Sequence, residues 1–476
     1  IIGNRGNTAR KVQAVASGAL ASGDTVIVNS NGTVSVVAGS ATSANAVVFE
    51  AATTIFDTMS KRAITYDTNS NKIVITYSDG GNSGYGTAIV GTVSGTSISF
   101  GSPTVYQSNN CDAGNLCAFD SSNNKIVVVY RNANNSDYGT SVVGTVSGTS
   151  ISFGTPVVFH SANSQSPSII FDSNANKVVV YYYDGGASGA GKARVGTVSG
   201  TNISWGSATQ FTPSTGLQFN NAVFDPDTNK IVISFSDASD SYKGKCVIGT
   251  VSGTSISFGS SVTYASASTR DSDIAYNTTE NKVMIVYRDD GNSDYGTIIA
   301  GTVSGTTISF GSEAVYFSGN AVDDAIAYNP STNETLILFT DGAVDNGKAV
   351  IASLSGNTFS FGSAEEWNTG KPQFISSVYD PDQQKIVSVY PNQGNNNYGT
   401  AAIVQVGSTN LTSENFIGVA SNGYATGQAA TINAKGFIDD NQSSLTAGQS
   451  YFVQNNGDLG LTAADPSVFA GTAVSA

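Results

Sequence analysis

One phrase, returning at a nearly constant interval, constrains this chain more than anything else in it. GTVSGTSISFG begins at Gly91 and recurs at Gly144, at Gly196 as GTVSGTNISWG, at Gly249, and at Gly301 as GTVSGTTISFG, before decaying to ASLSGNTFSFG at Ala352. The intervals are 53, 52, 53, 52 and 51 residues. A second phrase keeps the same beat: an aromatic-Asx pair, a short variable stretch, then Asn-Lys and a β-branched run. It reads YDTNSNKIVITY from Tyr66 and returns, with small changes, from Phe119, Phe171, Phe224, Tyr276, Tyr328 and Tyr379, which makes seven copies. Self-similarity at this period means that one supersecondary unit is used again and again.

Each unit reads as four strands. The first ends at the aromatic-Asx pair, where an Asp or Asn side chain can bond the backbone two residues on and reverse the chain. The second is the run Lys72 to Tyr77 and its equivalents. A Gly/Asn/Ser/Asp loop such as DGGNSGYG follows, then the third strand TAIVGTVS, the turn SGTS, and a fourth strand, ISFGSPTVY. Apolar residues alternate with small or polar ones in VGTVS and ISISF, as half-buried strands require. Four-stranded units at about 50 residues are the signature of propeller blades, and a ring disposes of open sheet edges. The seventh unit runs through YGTAAIVQV (Tyr398 to Val406) and then lacks the ISFG phrase, whereas NAVVFEAA (Asn45 to Ala52) resembles the close of a fourth strand, as in GTPVVFHS (Gly154 to Ser161). Residues 45–53 are therefore expected to complete the last blade. The chain is expected to be all-β: a seven-bladed β-propeller over residues 45–410 closed by an N-terminal strand, with a small composite β module made of residues 1–44 and 411–476.

Composition agrees. Only 12% of residues are charged, and the 52 glycines accompany many Ser, Thr, Asn and Val. The net charge of -14 disfavours sequence-independent binding to phosphate backbones and docking on anionic membranes. No apolar run reaches the roughly 18 residues needed to cross a bilayer, so neither nucleic acid nor membrane insertion is expected. IIGNRGNTARKV lacks a secretory core and an initiator Met, which suits a processed product. Three cysteines cannot all pair within one chain. Cys111 and Cys117 are close enough for a small loop disulfide, the alternative being small buried thiols.

The two ends carry hairpin signals, SGDTVIVNSNGTVSVV with Asn31-Gly32 at its turn, and later Asn422-Gly423 and Asn456-Gly457. The ordered pieces ENFIG, GQAATI, LTAGQSYFVQ, NGDLGL and PSVFAGTAVSA, with ALASGDTVIVNSNGTVSVV upstream, resemble the terminal segments of structural proteins encoded by tailed phages, especially marine ones. The resemblance covers roughly 100 residues; in such proteins the ending usually runs on into a short Lys-containing strand, which this sequence lacks. It implies a virion location, a tail-fibre-like role, other virion proteins and further copies of the chain as partners, and no catalytic residues.

Candidate chemistry is sparse. The lone histidine, His160, sits at the end of a fourth strand and rules out paired-His metal sites. Loop carboxylates (Asp79, Asp137, Asp184, Asp237, Asp240, Asp289, Asp290, Asp294, Asp341 and Asp345) could serve a glycosidase or calcium, but turn chemistry explains residues at equivalent repeat positions. The sialidase-type Asp box is absent, and Trp205 simply replaces the Phe of ISFG. Loop aromatics are the candidate glycan- or receptor-facing residues: Tyr85, Tyr138, Tyr295 and Tyr398, each before Gly-Thr, and Tyr242 in a variant loop. Aromatic faces suit the C–H faces of sugars; pinning neighbouring blades is the favoured alternative. No cofactor or metal is expected. The sequence thus predicts a non-catalytic virion protein contributing to assembly and attachment to a host-surface glycan or receptor, the alternative being an extracellular lectin-like propeller, with a polysaccharide-degrading enzyme the weakest reading.

Overall fold

The computed structural model describes residues 11–29, 32–37, 43–48, 59–94, 97–111, 115–186, 189–212, 217–405, 415–434, 442, 445–453, 459–461 and 468–473. Among these there are β-strands and short 3-10 turns, and no α-helix. The chain divides into two compact units, residues 44–405 and the combination of 1–43 with 406–476.

In the larger unit each copy of the repeat forms an antiparallel sheet. In the first copy, Met59–Asp67 pairs with Lys72–Asp79, which pairs with Tyr85–Ser94, and the last of these carries both Ser97–Phe100 and Thr104–Asn110 on its other edge. The fourth strand is thus broken in two at Gly101-Ser-Pro. In several repeats its second half runs on without interruption into the first strand of the next repeat: Val157–Asp172, Val262–Asn277 and Ala314–Asn329 each pair with one sheet and then with the following one. First strands of successive repeats lie against one another, and Ser376–Asp380 of the seventh lies against Met59–Asp67 of the first. Ser43–Val48 is the fourth strand of the seventh repeat's sheet, beside Tyr398–Gln405; residues 49–53, also expected there, lie outside the described residues.

The two sequence phrases have separate physical causes. Asp67 and its equivalents are buried and cap the turn between first and second strands: Oδ1 of Asp67 accepts from the backbone of Asn69 (2.9 Å) and Ser70 (3.1 Å), and Asp120, Asp172, Asp225, Asn277 and Asp380 do the same. The Asn of Asn-Lys takes a left-handed φ, from +51° to +56° at Asn71, Asn124, Asn176, Asn229, Asn281 and Asn333, a conformation Asn tolerates better than most residues. The glycine closing ISFG marks a close approach between neighbouring repeats. A Cβ on Gly206 would lie 1.9 Å from the Thr254 carbonyl oxygen, and one on Gly259 would lie 1.9 Å from that of Thr306.

The sheets are bonded face to face by an aromatic ladder. A fourth-strand ring packs on a fully buried second-strand ring of the following repeat: Tyr106 on Tyr130, Phe159 on Tyr182, Phe211 on Phe235, Tyr264 on Tyr287, Tyr316 on Phe339 and Trp367 on Tyr390, with centroids 4.9–6.0 Å apart. Such pairs add about 0.5–1.5 kcal/mol each beyond the area they bury. The first and seventh repeats share a core too, Met59, Ile64, Tyr66 and Ile75 packing with Val387, Val389, Ala401 and Ile403. Cys111, Cys117 and Cys246 are buried and not joined by a disulfide, so the loop bridge does not form; burial pushes the Cys117 thiol up to about 12.

The smaller unit interleaves the two ends. Its five-stranded sheet runs Lys11–Val15, Ala429–Ala434, Phe416–Ala420, Thr25–Val28, Val34–Val36, over a core of Ala16, Leu20, Val26, Val34, Ala420, Ala430 and Ile432. Ser450–Val453, Leu459–Gly460 and Val468–Thr472 make a second sheet. The turns at Asn31 and at Asn456-Gly457 fall outside the described residues.

Candidate ligand-binding end of the repeat sheets

The register places two loop sets at one end of every sheet: the turn joining second to third strand, and the start of the first strand. Met59 sits opposite Asp79, and Asp79 opposite Tyr85. The expected tyrosines are there. Tyr85, Tyr138, Tyr295 and Tyr398 each open a third strand directly after a 3-10 turn and are half-buried. Each is followed two residues on by a threonine whose hydroxyl donates to the tyrosine's own carbonyl, at 3.2–3.3 Å (Thr87, Thr140, Thr297, Thr400).

Tyr242 is different. It is 40% exposed, has φ +60°, and stands one residue earlier, in the left-handed slot filled elsewhere by Gly84, Asp137, Gly189, Asp294, Asp345 and Asn397. Lys243 takes the tyrosine slot. Aligning the loops exposes a pattern that motif reading missed. Where the tyrosine is absent, the threonine is replaced by a lysine that reaches back to the aspartate beginning the turn: Lys192 to Asp184 at 2.7 Å, Lys245 to Asp237 at 2.8 Å, Lys348 to Asp341 at 2.9 Å. The sheet end therefore carries Tyr/Thr corners in the first, second, fifth and seventh repeats and Lys/Asp corners in the third, fourth and sixth.

The loop carboxylates have structural work to do. Asp184, Asp237, Asp289 and Asp341 each accept a backbone N–H two residues on, at 2.9–3.0 Å, and Asp137, Asp294 and Asp345 hold left-handed positions. Burial alone would raise Asp184 and Asp237, but hydrogen bonds from Lys192 and His160 to the first, and from Lys245 and Ser239 to the second, outweigh it and leave both below the ordinary range. His160 thus belongs to a structural trio, its Nε2 3.0 Å from Asp184 and its ring tilted against that of Tyr182, centroids 4.8 Å apart. Trp205 donates from Nε1 to Ser141 and packs on Phe159. Among the described residues no group of three or more His, Cys, Asp and Glu is placed to hold a metal ion, and no helix is long and apolar enough to cross a membrane.

The start of the first strand holds features that neither phrase reveals. Two residues there oppose one on the second strand, a β-bulge: Ser166-Pro167, Asp271-Ser272 and Asp323-Asp324. The leading residue is left-handed, with φ +44° at Ser166, +49° at Asp271, +57° at Asp323 and +46° at Phe374, the seventh repeat's equivalent. Bulges re-aim side chains and recur beside functional sites. Here they gather charge. Desolvation lifts the half-buried Asp271 carboxyl to about 6, against the attraction of Arg288 at 3.3 Å; Asp323 and Arg270 act on it with opposite signs, and Asp290 raises it further. An acid whose folded pKa lies above its unfolded value binds more protons when folded, so its contribution to stability falls as pH rises from about 4 to about 6. Asp271→Asn is expected to remove that decline, gaining on the parent by up to about 3 kcal/mol between those pH values, as measured by denaturant melts at both. A constant difference across the range would contradict this.

No protein-family model matches the chain, and no curated protein matches it in sequence. Among solved structures, the BP39L lectin from Burkholderia pseudomallei aligns over 74% of this chain and 98% of its own, with TM-score 0.55 and 11% identity. That likeness shows the fold. It is all-β, antiparallel and propeller-like. The polysaccharide lyase Uly1 aligns over 73% of this chain and 90% of its own, with TM-score 0.48 and 9% identity.

Proposed function

We propose that residues 44–405 form a closed seven-bladed β-propeller that binds glycans, without catalysis, at the end where second and third strands join. The mutual contact of first strands, running from the seventh repeat back to the first, supports closure, as does the addition of Ser43–Val48 to the seventh sheet. The observation that carries the function is the repeated Tyr/Thr corner. Four half-buried tyrosines follow short 3-10 turns, those before Tyr295 and Tyr398 capped by Asp289 and Asn392, at one end of a fold shared with a lectin, which is how an array of weak stacking contacts becomes a polysaccharide-binding surface. The aspartates of that end are engaged by lysines and backbone, which suits binding better than acid–base work. The test is a glycan array probed with labelled protein. Binding is expected, and the combined variant Tyr85→Ala, Tyr138→Ala, Tyr295→Ala and Tyr398→Ala should weaken it by at least about tenfold. Undiminished binding would remove the tyrosines from the account.

A specific observation favours a second, compatible role. Of the terminal segments that resemble tailed-phage structural proteins, those around residues 25–36 and 416–434 are interleaved in one sheet. This supports reading the smaller unit as an attachment module that fixes a glycan-binding propeller, in several copies, to other virion proteins. Mass spectrometry of purified particles would find the chain there at stoichiometric levels.

A further inference from the structure

The bulged starts of the first strands bring neighbouring repeats together around groups the packing leaves unsatisfied. Phe374, in the seventh repeat, has a ring 52% exposed on a left-handed backbone, a strained state for a bulky residue. Its backbone N–H donates to the carboxylate of Asp323, the equivalent residue of the sixth repeat. Beneath its ring lies Arg62 of the first repeat, guanidinium carbon 5.2 Å from the centroid. Arg62 is 8% exposed, and its Nε and Nη1 have no hydrogen-bond partner among the described residues. Asp324, beside Asp323, is 6% exposed and has the hydroxyl of Tyr316 as its side-chain hydrogen-bond partner. Buried polar groups are normally satisfied, and an unpaired buried charge is costly. Burial lowers Arg62 to about 9 and raises Asp324 well above the carboxylate range. An arginine left in this state under an exposed, strained aromatic points to something that binds there.

We propose that Phe374, Asp323 and Asp271, with Arg62 and Asp324 behind them, bind one uncharged, hydroxyl-rich sugar residue. The proposal rests on the glycan-binding reading and names a site within the same end of the sheets. Phe374 offers a face for the C–H side of a pyranose ring. A sugar hydroxyl both donates and accepts, so it can donate to the Asp323 carboxylate while accepting from an arginine N–H. Charged sugars fit worse: an anionic one would face Asp323 and Asp271, and a cationic one Arg62.

The test is isothermal titration of the full chain with the best uncharged oligosaccharide from the array, and with sialyllactose as the acidic probe. Phe374→Ala and Asp323→Asn should each weaken the uncharged ligand by about tenfold, and Phe374→Tyr should retain it. Arg62→Met separates a binding role from a structural one. It should weaken binding while melting at the same or a higher temperature, because it removes an unpaired buried charge; a lower melting temperature with binding intact would make Arg62 structural and overturn its part. If the parent binds an uncharged glycan and neither Phe374→Ala nor Asp323→Asn changes it, this site is wrong while the lectin-like reading stands. Preference for sialyllactose overturns the ligand class. No binding to any glycan defeats both proposals.

Discussion

Tyr287→Ala will unfold about 3–5 kcal/mol more readily than the parent. Tyr287 is fully buried in the second strand of the fifth repeat, its ring 5.3 Å from Tyr264 of the preceding fourth strand. Its hydroxyl donates to Glu313 at 2.9 Å. Truncation would empty a ring-sized volume between two sheets, break the ladder at one rung and leave Glu313 without that donor. Backbone on both faces is fixed by strand pairing, so collapse into the hole is limited. Tyr287→Phe keeps the ring and should cost only about 1 kcal/mol, the net value of one hydrogen bond. Chemical denaturation of the two variants beside the parent measures the difference. Similar losses for both would mean that the hydroxyl, and not the packed ring, does the stabilising.

The second large effect concerns the strand Ser43–Val48 beside Tyr398–Gln405. Proline cannot donate to a sheet ladder. Adjacent N–H groups on a strand point to opposite sides, so the double change Ala46→Pro, Val47→Pro removes a donor facing Tyr398–Gln405 in either register. Losing that pairing leaves Tyr398–Gln405 as an open edge, prone to fraying and to association with other chains. The variant is expected to be cut by protease within the seventh repeat under conditions that leave the parent whole, and to aggregate on mild heating. The control Val105→Pro, on the fourth strand of the first repeat, lies within one sheet and should not sensitise the seventh. Equal protease resistance of parent and double variant would mean that this segment contributes little to the seventh sheet.

The all-β class was readable in the repeat because both phrases encode local rules. Asp67 and its equivalents cap a turn, Asn71 and its equivalents take a left-handed φ, and the alternation of VGTVS sets a half-buried strand; none of these needs distant partners. Readings that depend on neighbours were harder. The glycine of ISFG reads as part of the fourth strand, with no reason in the sequence for being glycine, yet at Gly206 and Gly259 it is fixed by a carbonyl of the next repeat. The aromatic ladder was not legible, because rings such as Tyr106 and Tyr130 sit on strands that face each other only after folding. Tyr242 was legible as belonging to a variant loop, but that it fills the left-handed slot one residue earlier was not. The bulge residues Ser166, Asp271, Asp323 and Phe374 are not of one residue type, so no phrase announces them. Counting back from each aromatic-Asx pair to the place where alternation breaks would have found the position, though not the burial of Arg62 and Asp324 beside it.

Asn71, in the first repeat, and Asp382, in the seventh, have side-chain atoms 3.4 Å apart across 311 residues of sequence. Changing them together, Asn71→Cys and Asp382→Cys, tests directly whether the repeats return to their starting point. The native cysteines are buried and should not compete. A closed ring predicts that mild oxidation forms one intramolecular disulfide between the introduced thiols, seen by peptide mapping, with a raised melting temperature because so long a loop is constrained. Free thiols at both positions, or disulfides only between separate molecules, would show an open array of sheets and contradict the ring on which the proposed binding end depends.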